Sequence, residues 1–346
     1  MLLTVGNKDI PPPAWHHCYK PGHHRHKRSG YYGSKQTLKE CIRRVNHVIE
    51  GIFHSGGPGE YGFSLCGIIA LELSLMASMT ATSHQELILD QFTRQAIPFS
   101  NAKTIADESA LRLLVEFSRA GPQDSVLDVA CGGGLVVCAF AKVVQHATGI
   151  DVTPAMLDRS RALARDEGLS NVSWKQGDVE SLPYPDGAFT IVVSRFTFHH
   201  FQNPLAVLKE MVRVCAPNGR VVVADVAVST NAAKAAEFNR MEILRDPSHV
   251  RAMQASELRE LFRSAGLPEP RATAYELRDE LENLLRRSFP NPGDEQKIRE
   301  IFAASALDDR LGIPVRRQES RIHYAYPVAV LAALKPPSEL SGAAAK

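Results

Sequence analysis

No CxxC pair occurs in this sequence, and its six cysteines, at positions 18, 41, 66, 131, 138 and 215, follow no regular spacing. A chain of 346 residues can bury enough surface to fold without disulfide staples. The pattern therefore fits a reducing, cytoplasmic setting. A large charge excess is also missing. The 40 Lys and Arg against 38 Asp and Glu leave a net of +2, which argues neither for nor against nucleic acid. The basic run Arg25 to Arg28 is too short to form a nucleic-acid surface, so no nucleic-acid partner is expected. Long apolar runs are scarce. The longest, Gly62 to Met79, carries Glu72 in its middle. A central carboxylate costs roughly 2.5–3.5 kcal/mol on insertion scales, so no membrane span is expected. No secretory signal is read at the start, where Lys8, Asp9 and Pro11-Pro12-Pro13 interrupt the apolar residues. Internal repeats are absent.

What is present divides the chain. Residues 1–60 hold nine Lys/Arg and four Asp/Glu, and seven of the thirteen His. Residues 1–33 read as poorly ordered. Ser34 then caps an amphipathic helix whose Leu38, Cys41, Ile42, Val45, Val48 and Ile49 recur at helical spacing. His16, His17, Cys18, His23, His24 and His26 can bind a transition metal loosely, as flexible histidine-rich arms do. No functional metal site is expected from them. Met79 opens a stretch that looks like an ordinary bacterial protein start. We therefore expect residues 1–78 to be a basic, His-rich extension dispensable for activity, with a docking arm as the alternative. A domain over 79–335, with its core at 120–226, and a flexible tail at 336–346 complete the division.

From Ala106 onward the pattern becomes regular. Apolar strands are predicted at Ser125 to Val129, Ala147 to Ile150, Val172 to Lys175, Phe189 to Ser194 and Arg220 to Val226, with a last one at Ala325 to Leu334. Helices are predicted at Ala110 to Phe117, Leu135 to Val144, Pro154 to Ala164, Ala206 to Cys215 and Ser256 to Ala265. Leu277 to Leu311 reads as a further helix-rich segment. Strands alternating with helices of this length imply parallel crossovers and an α/β fold. Continuous Val/Ile runs imply strands covered on both faces.

Four segments carry the chemistry. Val126-Leu127-Asp128-Val129-Ala130-Cys131-Gly132-Gly133-Gly134 reads as a strand, a tight glycine turn and a helix start, placed where open α/β sheets bind ligands. Gly149-Ile150-Asp151-Val152 puts a carboxylate at the end of the second strand, suited to two ribose hydroxyls. A helix-capping role for Asp151 stays open, since Pro154 follows. Gln176-Gly177-Asp178-Val179-Glu180 offers a carboxylate and an amide to an adenine. Leu182 to Phe189 turns into a strand ending at Ser194-Arg195. His199 and His200 follow at the ligand edge and titrate near neutrality, which suits a general base. A pocket-lining pair without proton transfer is the alternative.

In order and spacing these segments resemble the class I S-adenosylmethionine (SAM)-dependent methyltransferases, most closely the small-molecule branch that includes the ubiquinone/menaquinone-biosynthesis C-methyltransferases. Gln91 to Ala96 looks like that branch's N-terminal lid segment, and Leu208 to Arg220 like the stretch that closes its conserved core. The resemblance implies a Rossmann-like, doubly wound, seven-stranded, mostly parallel sheet with an antiparallel last strand. It implies S-adenosyl-L-methionine as cofactor, held by Asp128, Ala130, Gly132, Gly134, Asp151, Val152, Gly177, Asp178, Val179 and Arg195. It also implies a methyl group passed by in-line displacement to carbon, oxygen or nitrogen of a small-molecule acceptor. The chain departs from the family at Ala130, usually glycine, and at Thr190, usually Asp. The acceptor is expected among Phe92, Phe99, Ala232 to His249 and Leu277 to Leu311, with Phe302, Leu311 and Tyr326 making its pocket apolar. Tyr184 and Tyr324 are weaker lining candidates. A monomer and a homodimer both stay open. Two other readings are a non-catalytic SAM-binding protein and a nucleotide-dependent oxidoreductase. The second needs a G-x-G-x-x-G continuation, but Leu135-Val136-Val137 follows Gly134.

Overall fold

A computed structural model of the protein describes residues 83–100, 102 and 104–337. The chain divides into two units at Ala81 and Thr82, and every described residue belongs to the second. The expectations for 1–78, for the apolar run Gly62 to Met79 and for the end of the tail lie outside the described residues. Among the described residues no helix is long and apolar enough to cross a membrane.

Helix α1 (His84–Ser100) is followed by α2 (Glu108–Ser118), which starts on the Asp107 side chain. That carboxylate accepts from the amides of Ser109 at 2.8 Å and Ala110 at 3.2 Å. Then come β1 (Ser125–Val129), α3 (Leu135–Ala141), β2 (His146–Asp151), α4 (Pro154–Asp166), β3 (Val172–Gln176) and β4 (Phe189–Arg195). A single 3-10 turn, Phe198–His200, leads to α5 (Pro204–Val214) and β5 (Cys215–Val226). The remainder comprises α6 (Ala232–Arg245), α7 (Ala255–Ser264), β6 (Arg271–Glu280), α8 (Leu281–Arg286), α9 (Asp294–Asp308), β7 (Val315–Gln318) and β8 (Arg321–Leu334).

The strands form one sheet in the order β3-β2-β1-β4-β5-β8-β6, with β7 paired to β8 beside that path. Pairs among the first five strands are parallel, and β8 runs antiparallel to β5, β6 and β7. Pleating sends alternate residues to opposite faces. Val126, Ile191, Val193 and Val222 join one buried cluster with Phe140 of α3. Leu127, Val129, Val192 and Val223 join another with Met211 of α5. Each fully buried Val, Ile or Leu stabilises by roughly 1.5–3 kcal/mol, so these two layers are the main cohesive term.

Three expectations need correction. The segment from Leu277 is not helical at its start: Leu277 to Glu280 completes β6, which pairs along its whole length with β8. Its charges hid it, because Arg271, Glu276 and Arg278 cover an exposed sheet edge. The hairpin strand β7 makes eight strands rather than seven. Strand β8 begins at Arg321, four residues before the expected Ala325, because β7 supplies partners there.

The departure at Thr190 is accommodated locally. Its hydroxyl donates to Asp124 Oδ1 at 2.7 Å and accepts from the Ser125 amide at 3.0 Å. Asp124 also pairs with Arg220. Thr190 thus joins the entry ends of β1 and β4, away from the ligand edge.

Candidate functional site

Strand order reverses between β1 and β4, and the loops after β1, β2, β3 and β4 meet at the carboxyl edge around a cavity of about 310 Å³. The β1 loop is built from left-handed backbone: Ala130 at φ 57°, Gly132 at 51° and Gly134 at 84°. Glycine takes these angles at little cost. At Gly134 space also matters, since a Cβ there would lie 2.8 Å from Ser160 Cβ and 2.9 Å from Trp174. The loop is then pinned to β2 and α4. The Cys131 amide donates to Ile150 O at 2.9 Å, and the Ser160 hydroxyl donates to Gly132 O at 2.7 Å.

Asp151 closes β2 and lines the cavity. Its Oδ2 accepts from the Gly132 amide at 2.8 Å and its Oδ1 from the Thr153 amide at 2.8 Å. Each oxygen keeps a second lone pair for a ligand. Burial raises its pKa, and these amides oppose the rise. Asp178 is exposed at the outer end, its Oδ1 accepting from the Glu180 amide at 2.9 Å.

Three buried atoms of residues lining this cavity have no hydrogen-bond partner: Oδ2 of Asp128, Oγ1 of Thr153 and Nη2 of Arg195. Such groups are costly to leave unmade, and they mark where a ligand's polar groups belong. Burial pushes the Asp128 carboxyl well up, Asp151 adds to the rise, and Arg195 opposes it. Arg195 is itself held by three contacts. Nε donates to the Tyr275 hydroxyl at 3.2 Å, Nη1 donates to Ile105 O at 3.1 Å, and the guanidinium lies 4.4 Å from the Phe196 ring centre. Phe196 adopts φ 59°, an uncommon angle for a bulky residue.

The two histidines separate. His200 lines the cavity and His199 does not. The Nδ1 of His200 lies 3.0 Å from Ser248 O, and a carbonyl only accepts, so Nδ1 carries the proton. Burial first, and then the neighbouring His199, lower its pKa to about 4. At neutral pH Nε2 is therefore a lone-pair nitrogen. The Nδ1 of His199 meets Asp225 Oδ1 at 2.6 Å, and its amide meets Asp225 Oδ2 at 3.1 Å. Burial lowers its pKa, but the Asp225 carboxylate more than offsets this and the net shift is upward.

Helix α1 forms the roof. His84, Gln85, Ile88 and Phe92 line the cavity, and His84 Nε2 lies 2.7 Å from His200 O. The Phe92 ring meets the His200 ring edge-on at 5.0 Å between centres. The side chain of Phe99 lies outside the described residues.

Eight of the ten residues proposed for the cofactor line this one cavity: Asp128, Ala130, Gly132, Asp151, Val152, Asp178, Val179 and Arg195. Gly134 and Gly177 stand back from it, because their missing side chains make room for Ser160, Trp174 and Ile150. Phe302, Leu311, Tyr326, Tyr184 and Tyr324 do not line it either. Phe302, Leu311 and Tyr326 belong to the core, where Tyr326 donates to Glu242 at 2.6 Å. Thr153, Met156, Phe196 and Phe201 line the cavity and were missed, as was Asp225, which stands outside it and holds His199. For Asp225 a signal existed, since a lone carboxylate at the end of the apolar run Val221 to Val226 needs a partner.

Residues 127–223 match the model of the methyltransferase domain family. The chain is 30% identical over 206 residues to the uncharacterized methyltransferase YcgJ of Bacillus subtilis, covering 60% of this chain and 81% of that one. It belongs to the SAM-dependent methyltransferases. The solved structure of YcgJ superposes with a TM-score of 0.61 at 26% identity, over 66% of this methyltransferase and 98% of YcgJ. A ubiquinone/menaquinone biosynthesis C-methyltransferase from Bdellovibrio bacteriovorus is 32% identical over 144 residues, which span 40% of this chain and 61% of that one. The methyl donor is S-adenosyl-L-methionine.

Proposed function

We propose that this methyltransferase passes the SAM methyl group to a small molecule in the cavity roofed by α1. The observation that carries this reading is that two charged side chains lining the cavity with Asp151 each keep a partnerless buried atom, Asp128 Oδ2 and Arg195 Nη2. SAM has an ammonium for Asp128, a carboxylate for Arg195 and a ribose diol for Asp151. Asp178 and Val179 sit at the far end for the adenine. Ala130, Gly132 and Val152 form backbone walls, while Gly134 and Gly177 keep the neighbouring elements close.

The sulfonium is already activated, so the protein's main contribution is alignment. Holding two reactants in attack geometry can contribute roughly 7–11 kcal/mol. Of the two histidines, His200 is the one in the cavity, and it is the candidate base.

We further propose that residues 79–335 form the catalytic domain. Calorimetric titration with SAM and with NAD, together with methyl turnover from labelled SAM against a metabolite extract, tests the reading. SAM binding and label transfer are expected. Tighter binding of NAD than of SAM sinks it. A chain beginning at Met79 is expected to bind SAM as the full chain does, and failure to fold would make the extension integral.

A further inference from the structure

The cavity wall changes character from one side to the other. Asp151 and Asp178 follow β2 and β3, and Asp128 and Glu180 add two more carboxylates. The side beyond β4 and under α1 carries Ile88, Phe92, Phe196, Phe201 and the His200 ring, with the uncharged polar side chains of Gln85, Thr197 and Gln202 among them. Arg195 is the one Lys or Arg side chain among the described lining residues. His84 is the other imidazole there, and it is engaged with His200 O at 2.7 Å.

These facts constrain the acceptor, given the reading above that Arg195 holds the cofactor's carboxylate. We propose that the acceptor is an uncharged, largely apolar molecule whose hydroxyl or amine donates a hydrogen bond to His200 Nε2, and that phosphorylated or carboxylated acceptors are rejected. An anion on this side would find no lysine or arginine side chain free to pair with it among the described lining residues, and burying an unpaired charge is costly. A neutral apolar body meets aromatic and aliphatic walls instead. The protonated Nδ1, fixed on Ser248 O, leaves Nε2 able only to accept. Ser248 is itself fixed, its hydroxyl donating to Asp246 Oδ1 at 2.6 Å and its amide to the same oxygen at 2.9 Å. Gln95 of α1 donates to the other Asp246 oxygen at 2.9 Å, so roof and histidine share one anchor. Among the described residues Nε2 has no protein partner. In the reaction, the acceptor's oxygen or nitrogen bonds to the methyl carbon. The C–S electron pair returns to sulfur, and the acceptor proton passes to Nε2.

The test uses the full chain with S-adenosylhomocysteine and five matched probes: 1-naphthol, 1-naphthylamine, naphthalene, 1-naphthyl phosphate and 1-naphthoic acid. Binding of S-adenosylhomocysteine is measured first; its failure counts against the cofactor site and not against the acceptor class. On the loaded protein, naphthol or naphthylamine is expected to bind about tenfold tighter than naphthalene, the scale of one net hydrogen bond. Phosphate and carboxylate are expected to bind more weakly than naphthalene. His200→Phe is expected to erase the hydroxyl and amine advantage while S-adenosylhomocysteine affinity is kept. Tighter binding of the phosphate or the carboxylate overturns the proposal. So does a hydroxyl preference that survives His200→Phe, and so does the absence of naphthol and naphthylamine binding by protein that holds S-adenosylhomocysteine.

Discussion

Gly132 and Asp151 are joined by a 2.8 Å hydrogen bond from the glycine amide to Oδ2. The carboxylate proposed for the ribose is therefore also the clasp between the β1 loop and the end of β2. Its other oxygen starts α4 through the Thr153 amide. Asp151→Ala should act on both levels. SAM affinity is expected to fall by roughly 1.5–3 kcal/mol, the scale of charge-assisted hydrogen bonds, which is about ten- to hundredfold in Kd. The melting temperature of the unliganded protein is expected to fall as well, since two amides lose their acceptor. Titration calorimetry and thermal unfolding read the two effects separately. Unchanged SAM affinity would remove Asp151 from the cofactor site.

The βαβ core was legible because its signals are local. Pro154 and Asn203-Pro204 mark helix starts, and the runs Val221 to Val226 and Ile191 to Val193 read as strands covered on both faces. The glycine turn and Asp151 were legible for the same reason, as short segments with a fixed relation to a strand end. Strand β6 was not, because its stability comes from pairing with β8, about fifty residues later in the chain, and its own residues favour no single state. The roles of His199 and His200 were not separable either. Adjacent residues on a 3-10 turn point in different directions, and only the positions of Asp225 and Ser248 decide which ring reaches the cavity.

Ala130 occupies a left-handed conformation at φ 57°. An L-residue with a Cβ meets the following carbonyl there, at a cost of roughly 1–2 kcal/mol that glycine avoids. Glycine also loses more chain entropy on folding, which takes back part of the gain. Ala130→Gly is therefore expected to stabilise the protein by about 0.5–1 kcal/mol, read from urea unfolding midpoints at constant slope. A loss of stability would mean that the alanine methyl contributes packing greater than this conformational cost.

The His199–Asp225 pair predicts a pH dependence. Against the effect of burial, the Asp225 carboxylate raises the folded pKa of His199 above that of an ordinary imidazole. The folded state therefore holds the proton more tightly than the unfolded chain does. Its contribution is fully present below the unfolded pKa and is lost as pH rises through the folded one. Unfolding free energy is expected to decline on passing from slightly acid into alkaline solution. In Asp225→Asn this part of the decline should disappear, because the attraction that raises the imidazole pKa is gone. Urea unfolding at a series of pH values checks it, and a variant profile parallel to that of the parent would refute the linkage.

Arg195 is held by Tyr275, Ile105 O and the Phe196 ring, so that Nη2 is left for the cavity. A lysine cannot reproduce that arrangement: one ammonium cannot fill two fixed donor positions, stack flat on a ring and still present a donor to a carboxylate. Arg195→Lys is expected to weaken SAM and S-adenosylhomocysteine by about tenfold or more, the scale of a hydrogen bond between charged groups. Tyr275→Phe removes only the partner of Nε and should change affinity far less. The decisive comparison is 5′-methylthioadenosine, which keeps the nucleoside but lacks the amino-acid carboxylate. If Arg195 serves that carboxylate, this ligand should bind the parent and Arg195→Lys with nearly equal affinity. An equal loss for all three ligands would show instead that the substitution damages the cavity as a whole, and that Nη2 recognises no particular group.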